Sequence, residues 1–99
     1  MKAARKAFDK GSWRKATYKE RRNVLNKFAD LLEKHRDELA ALESLDNGKP
    51  LFFANRDIDM SIDVARYYAG YTDKILGQTI PIDGPYFCYT KEEPVGVCG

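Results

Sequence analysis

Two cysteines and one histidine are the residues best suited to nucleophilic or metal chemistry among these 99 positions. Cys88, Cys98 and His35 fall on separate segments, without the C-x-x-C spacing that gathers ligands on one element. They read as two buried thiols and one helix-surface imidazole. Cys98 has no basic neighbour in sequence to stabilise a thiolate, which makes it an inert thiol rather than a nucleophile. Asp59 and Asp63 share a helix face, with Asp57 nearby. No glutamate or histidine joins them as an acid–base partner, so a solvated face accounts for them. Val95-Gly96-Val97-Cys98-Gly99 departs from G-x-G-x-x-G and leads into no helix, so it fails as a dinucleotide fingerprint. Tyr67, Tyr68 and Tyr71 cluster at helical spacing, as packed rings with hydroxyls at a rim would. No catalytic and no cofactor-binding residue emerges. Either the segment is a noncatalytic module or its active site lies in other residues.

The elements that would position any site come next. Hydrophobic residues make up 43% and charged residues 32%, a composition that excludes disorder and collagen-like repeats. No apolar run approaches the roughly 18–20 residues of a membrane span, so no membrane partner is expected. With no secretory signal, free thiols in a reducing compartment are the expectation. Residues 1–22 carry nine Lys or Arg against Asp9 and Glu20, and the remainder is net acidic. That basic front has the charge of a nucleic-acid patch or a presequence. A stand-alone helical interaction module with a basic nucleic-acid-binding face is the alternative reading. Only Phe8, Trp13 and Tyr18 could stack on bases there, however, and a solvated helix face with a loop is the simpler account, with no nucleic acid as partner.

Ala3, Ala4, Ala7 and Phe8 place a helix over 2–10, with Gly11 as its C′ glycine and 12–16 as a connecting loop. Thr17 and Glu20 form a capping box. Val24, Leu25, Phe28, Leu31, Leu32 and His35 then recur at helical spacing, and Leu39, Leu42 and Leu45 resume the stripe out of phase. This predicts a kink or a fresh start near His35–Asp37 with Asp37 as cap. Asn47-Gly48 ends that helix. Pro50 opens the next at its first position, and a stripe from Leu51 through Ile58, Ile62, Ala65 and Ala69 to Leu76 runs until Gly77. The short turn predicts antiparallel helices. Thr79–Ile82 and Tyr86–Thr90 read as a hairpin around Asp83-Gly84, and the apolar 95–99 run as a buried strand of a parallel sheet.

Several blocks together resemble NAD(P)-dependent aldehyde dehydrogenases, especially the mitochondrial, cytosolic and retinal-type enzymes. They are Ala3-Ala4-Arg5-Lys6-Ala7-Phe8, Trp13-Arg14, the run from Leu39 to Pro50, Arg66-Tyr67-Tyr68-Ala69-Gly70, Gly77 to Gly84, and Glu93 to Gly99. The resemblance implies an N-terminal fragment of a chain about five times longer, ending before a Pro-Trp-Asn segment. The catalytic cysteine, the general-base glutamate and the nucleotide-binding lysine would lie beyond it. It implies an α/β parent fold with a Rossmann-like cofactor domain. This fragment would be mainly α-helical, with a C-terminal β-hairpin and the first sheet strand. Residues 1–78 would be the helical part of the cofactor-binding domain, 79–94 the oligomerisation hairpin and 95–99 the start of the first cofactor-domain strand, with Cys98 in its core. Implied, too, are NAD or NADP as cofactor and a small aldehyde as substrate. A homotetramer assembled through the 79–93 hairpin would work in the cytoplasm or mitochondrial matrix.

Three residues carry implied site roles. Met60 matches a substrate-tunnel wall position, where its bulk favours small aldehydes. Its spacing from Ile58 and Ile62 also turns it off the packing stripe. Arg56, one turn earlier, stands where an apolar or neutral residue is usual near the tunnel mouth. Asp46 matches an acidic residue near a monovalent cation site. Tyr71 departs from a common Trp, and Glu92 from a common His.

Overall fold

The structure is a computed structural model describing residues 1–99. Contacts divide it into two units, residues 17–72 and residues 1–16 with 73–99.

The first unit is a helical hairpin. Thr17 starts helix α2 (Tyr18–Lys34) with the expected capping box. The Glu20 N–H donates to Thr17 Oγ1 at 3.2 Å, and the Thr17 N–H donates to Glu20 Oε2 at 2.6 Å. Helix α3 (Arg36–Asn47) follows after a single residue out of helical geometry, His35, at φ −105° and ψ 19°. The break is the predicted one. Its cap is not, since His35 occupies the cap position and Asp37 lies inside the first turn. Gly48 ends α3 in the left-handed conformation, φ +76°, which strains any residue with a Cβ.

Helix α4 (Leu51–Ala69) has Pro50 as its N-cap, just outside the first helical position expected for it. The Pro50 carbonyl accepts from the N–H groups of Phe53 and Ala54. The helix stops well before the expected Gly77. Past Ala69 the bonding tightens to a Tyr71 N–H to Tyr68 O turn. Thr72 Oγ1 lies 3.1 Å from Ala69 O and 3.2 Å from Tyr18 O, closing α4 against the start of α2. The apolar stripe continued to Leu76, but helical spacing alone does not mark where side-chain bonding takes over from the backbone ladder.

Helices α2 and α3 together form one arm and α4 the other. Tyr18 meets Thr72, Arg36 meets Asp59, and Glu43 and Asp57 share Lys49 beside the turn, which makes the arms antiparallel as predicted. The interior is built from small residues. Ala29, Ala40, Ala54 and Ala69 are fully or almost fully buried, with Ile62 and Ala65 among them, and Leu32 and Ile58 pack at the edge of the Ala29–Ile62–Ala65 cluster. Expected core positions Val24, Phe28 and Leu31 are instead about half exposed. Alanines in the seam let the helix backbones approach closely, and the large side chains fan out beside it.

In the second unit, α1 (Lys2–Lys10) forms as predicted but buries none of its residues. Gly11 is extended rather than left-handed, and a short 3₁₀ helix over Ser12–Lys15 replaces the expected loop. Strands β1 (Thr79–Ile80) and β2 (Cys88–Tyr89) pair antiparallel, Thr79 opposite Tyr89 and Ile80 opposite Cys88. The hairpin is shorter than expected because Pro81 has no N–H to continue the ladder. Gly77 serves this hairpin instead of stopping a helix. A Cβ there would sit 1.8 Å from the Thr90 carbonyl oxygen, and the adjoining Gln78 N–H donates to Thr90 Oγ1 at 2.8 Å.

Residues 95–99 form no strand, a departure from the expected first sheet strand, and Val95 is 98% exposed. A strand exists only beside a partner, and no other segment of the structure pairs with this one. For the same reason Cys98 is exposed rather than buried, while Cys88 is half-buried. Both are free thiols.

Candidate functional site

The helical hairpin carries a shallow groove of about 580 Å³ between its arms. Leu25 and Phe28 of α2 form one wall. Met60, Ser61, Val64 and Tyr68 of α4 form the other, over a floor that includes Ala65. Helical spacing explains the second wall, since positions 57, 60, 61, 64 and 68 recur every three or four residues on one flank of α4, beside the buried Ile62–Ala65–Ala69 stripe. The groove is lined mainly by apolar side chains, and Asp57 stands at its end.

Ionic bridges fix the two arms around it. At the turn, Lys49 Nζ contacts Glu43 Oε1 at 2.9 Å and also binds the Asp57 carboxylate. Asn47 donates to the same Glu43 oxygen at 2.7 Å, and Ser44 Oγ donates to the Lys49 carbonyl at 2.6 Å. Asp57 and then Glu43 raise the Lys49 pKa above the usual lysine value, and the Lys49 hydrogen bond holds the Glu43 carboxyl below its usual range. At the helix break, Arg36 forks onto Asp59 with bonds of 2.5 and 2.7 Å and reaches Asn55 Oδ1 at 2.8 Å. This pair lowers the Asp59 pKa and raises that of Arg36. Arg66 binds Glu33 at 2.5 Å and Asp30 at 3.4 Å. Asp57 and Asp59 therefore hold the arms together and are not the merely solvated pair that the sequence indicated. The missed signal was Lys49, whose position directly after the Gly48 turn puts its amine within reach of both helices.

Met60 is 60% exposed and lines the groove, in keeping with its position off the packing stripe. Arg56 is exposed one turn earlier, outside the lining, and its side chain makes no hydrogen bond or ion pair within this chain. Asp46 is exposed near the end of α3, and no group of three or more His, Cys, Asp or Glu residues is gathered to hold a metal. Tyr67, Tyr68 and Tyr71 pack on one another with ring centroids 5.1–6.4 Å apart, but on the surface. At the break between α2 and α3, His35 lies near Glu38 at 3.1 Å, as a surface imidazole should.

Residues 1–99 in full match the aldehyde dehydrogenase family. The chain belongs to that family. DhaS of Bacillus subtilis (strain 168) is 56% identical over 100 residues, covering all of this chain and 20% of the relative. The mitochondrial aldehyde dehydrogenase of Homo sapiens is 55% identical over 101 residues, again all of this chain and 20% of the relative. Among solved structures, the NAD+ complex of aldehyde dehydrogenase from Bacillus cereus superposes with a TM-score of 0.87 at 55% identity, covering 95% of this chain and 19% of that one. The chain thus spans about a fifth of the length of the relatives it matches.

The residues present do not themselves form a dinucleotide site. The glycine nearest an α-helix start is Gly48, and the adjoining Lys49 amine is committed to two carboxylates that would repel a phosphate. Gly96 and Gly99 lack the G-x-G-x-x-G spacing of a dinucleotide turn.

Proposed function

We propose that these residues are the N-terminal structural part of an NAD(P)-dependent aldehyde dehydrogenase. That enzyme converts an aldehyde and water to a carboxylate, and NAD(P)+ accepts the hydride. The observation that carries the reading is agreement at 55% identity and a TM-score of 0.87 over 95% of the chain with an enzyme solved as its NAD+ complex. The parent fold is α/β with a Rossmann-like cofactor domain, on which residues 1–78 are the helical part and 95–99 become the first strand once neighbours pair with them. The catalytic thiol and its base come from residues outside this chain.

Within that enzyme, this chain contributes a wall. The bridged arms hold α4 rigidly, and Met60 presents an unbranched apolar side chain toward the aldehyde, with Arg56 at the mouth. A methionine there narrows the passage and suits small aliphatic substrates. Asp46 contributes to a monovalent cation site only with ligands from elsewhere in the parent. The 79–93 hairpin joins subunits into a homo-oligomer, a reading supported by its exposed Tyr86, Phe87 and Tyr89. The enzyme works in the cytoplasm or mitochondrial matrix.

The test uses the full-length protein and the 99-residue chain side by side. Absorbance at the reduced-nicotinamide band should rise with acetaldehyde and NAD+ for the full-length protein and stay flat for the chain alone. No turnover by the full-length protein with any short aldehyde, with either NAD+ or NADP+, refutes the assignment.

A further inference from the structure

The strands of the β-hairpin have two residues each, Thr79–Ile80 and Cys88–Tyr89, and Pro81 stops the ladder on the tip side. So short a ladder specifies its register weakly, and a slip of one residue turns every side chain to the other face. Two features at its open end hold the register. Gln78 and Thr90 are the next opposed pair beyond Thr79 and Tyr89. The Thr90 N–H donates to Gln78 O at 2.8 Å, and the return bond from the Gln78 N–H ends on Thr90 Oγ1, also at 2.8 Å. The Thr90 carbonyl lies against Gly77, where a Cβ would sit 1.8 Å from its oxygen. A slip of one residue would set Tyr89 or Lys91 opposite Gln78, and neither has a β-hydroxyl to accept its N–H. It would also bring Leu76 or Gln78 against the Thr90 carbonyl, and both carry a Cβ.

We propose that Gly77 and Thr90 are positioning residues for assembly. They admit one register, which places the Phe87 and Tyr89 rings together, 5.7 Å apart, and leaves Ile80 and Cys88 on the other face of the ladder. The aromatic face is the one offered to a second copy of this chain. This rests on the reading above that the hairpin joins subunits, and it adds what fixes the face.

The experiment measures subunit dissociation of the full-length enzyme by sedimentation over a range of concentrations. Thr90→Val keeps the shape but removes the acceptor, and should raise the dissociation constant on the order of tenfold. Thr90→Ser keeps the hydroxyl and should assemble as the unmodified enzyme does, whereas Gly77→Ala should weaken assembly further than Thr90→Val. Ile80→Cys faces Cys88 only in this register. It should cross-link to Cys88 under mild oxidation and restore assembly to Thr90→Val, which a loss unrelated to register would not allow. The proposal is overturned if Thr90→Val assembles normally, if Thr90→Ser dissociates as readily as Thr90→Val, or if the cross-link fails to form or to rescue. If Phe87→Glu separates the subunits while Thr90→Val does not, only the register lock falls. If Phe87→Glu also leaves the oligomer intact, the hairpin reading fails and carries this one with it.

Discussion

Met60 and Ile62 sit two positions apart on α4 and face opposite kinds of surroundings, so their substitutions should separate cleanly. Ile62 is 6% exposed in the alanine-lined seam. Ile62→Ala should cost about 2–5 kcal/mol, because neighbours already as small as Ala29 and Ala65 have little side chain with which to fill the space. Met60 leaves no such cavity. Met60→Gly should cost only about 1 kcal/mol, the penalty of glycine inside a helix. It should also raise relative kcat/KM for bulky aldehydes, within the roughly 1–3 kcal/mol that apolar contacts discriminate. Thermal midpoints of the two variants and a kcat/KM series over aldehyde size check both. A Met60→Gly variant destabilised as much as Ile62→Ala, with an unchanged substrate profile, would place Met60 in the core instead.

At the scale of elements, α2 depends on its capping box. Thr17→Ala should cost about 1 kcal/mol, read as faster hydrogen exchange in the first turn of α2. The arms also depend on carboxylates. Glu20, Glu43 and Asp59 have pKa values held below their ordinary range by hydrogen bonds from Thr17, Lys49 and Arg36. Groups with folded pKa values below their unfolded values stabilise the fold above the unfolded values, and that contribution disappears as pH falls through the folded ones. The unfolding midpoint should therefore be level near neutrality and drop below about pH 4, and Asp59→Asn should show a shallower acid limb. The Thr17 capping box, the Gly48 stop, the break near His35 and the antiparallel turn were legible in the sequence because each is set by residues within a few positions. The end of α4 was not, because Thr72 closes it by reaching Tyr18, 54 residues away in sequence. The alanine seam was hidden too. Hydrophobic spacing identifies which flank of a helix is apolar, but not that the small residues on it enter the seam while Phe28 and Val64 remain outside. The unpaired 95–99 segment shows the complementary case, an apolar pattern whose strand needs a neighbour that local sequence cannot supply.

At the scale of the whole molecule, the exposed aromatic residues of the 79–93 hairpin are the proposed contact between subunits. Phe87 is 77% exposed, and its ring lies 5.7 Å from that of Tyr89. In the full-length enzyme, Phe87→Glu or Tyr89→Lys should shift sedimentation toward smaller species, and an unchanged oligomer would count against this interface. The helical hairpin has a different consequence, one of timing. Its contacts all lie within residues 17–72, two helical arms around a three-residue turn, and small helical units of this kind form in microseconds to milliseconds. A ribosome adds only about 5–20 residues each second. The arms can therefore close as soon as Thr72 leaves the exit tunnel, before the rest of the proposed parent enzyme is made. Until later segments arrive, Phe52, Phe53, Met60 and Val64 face water on a finished scaffold. The newborn chain is then most adhesive when its first fold is already complete, and holdase chaperones should crosslink to α4 in ribosome-bound chains stalled shortly after that point.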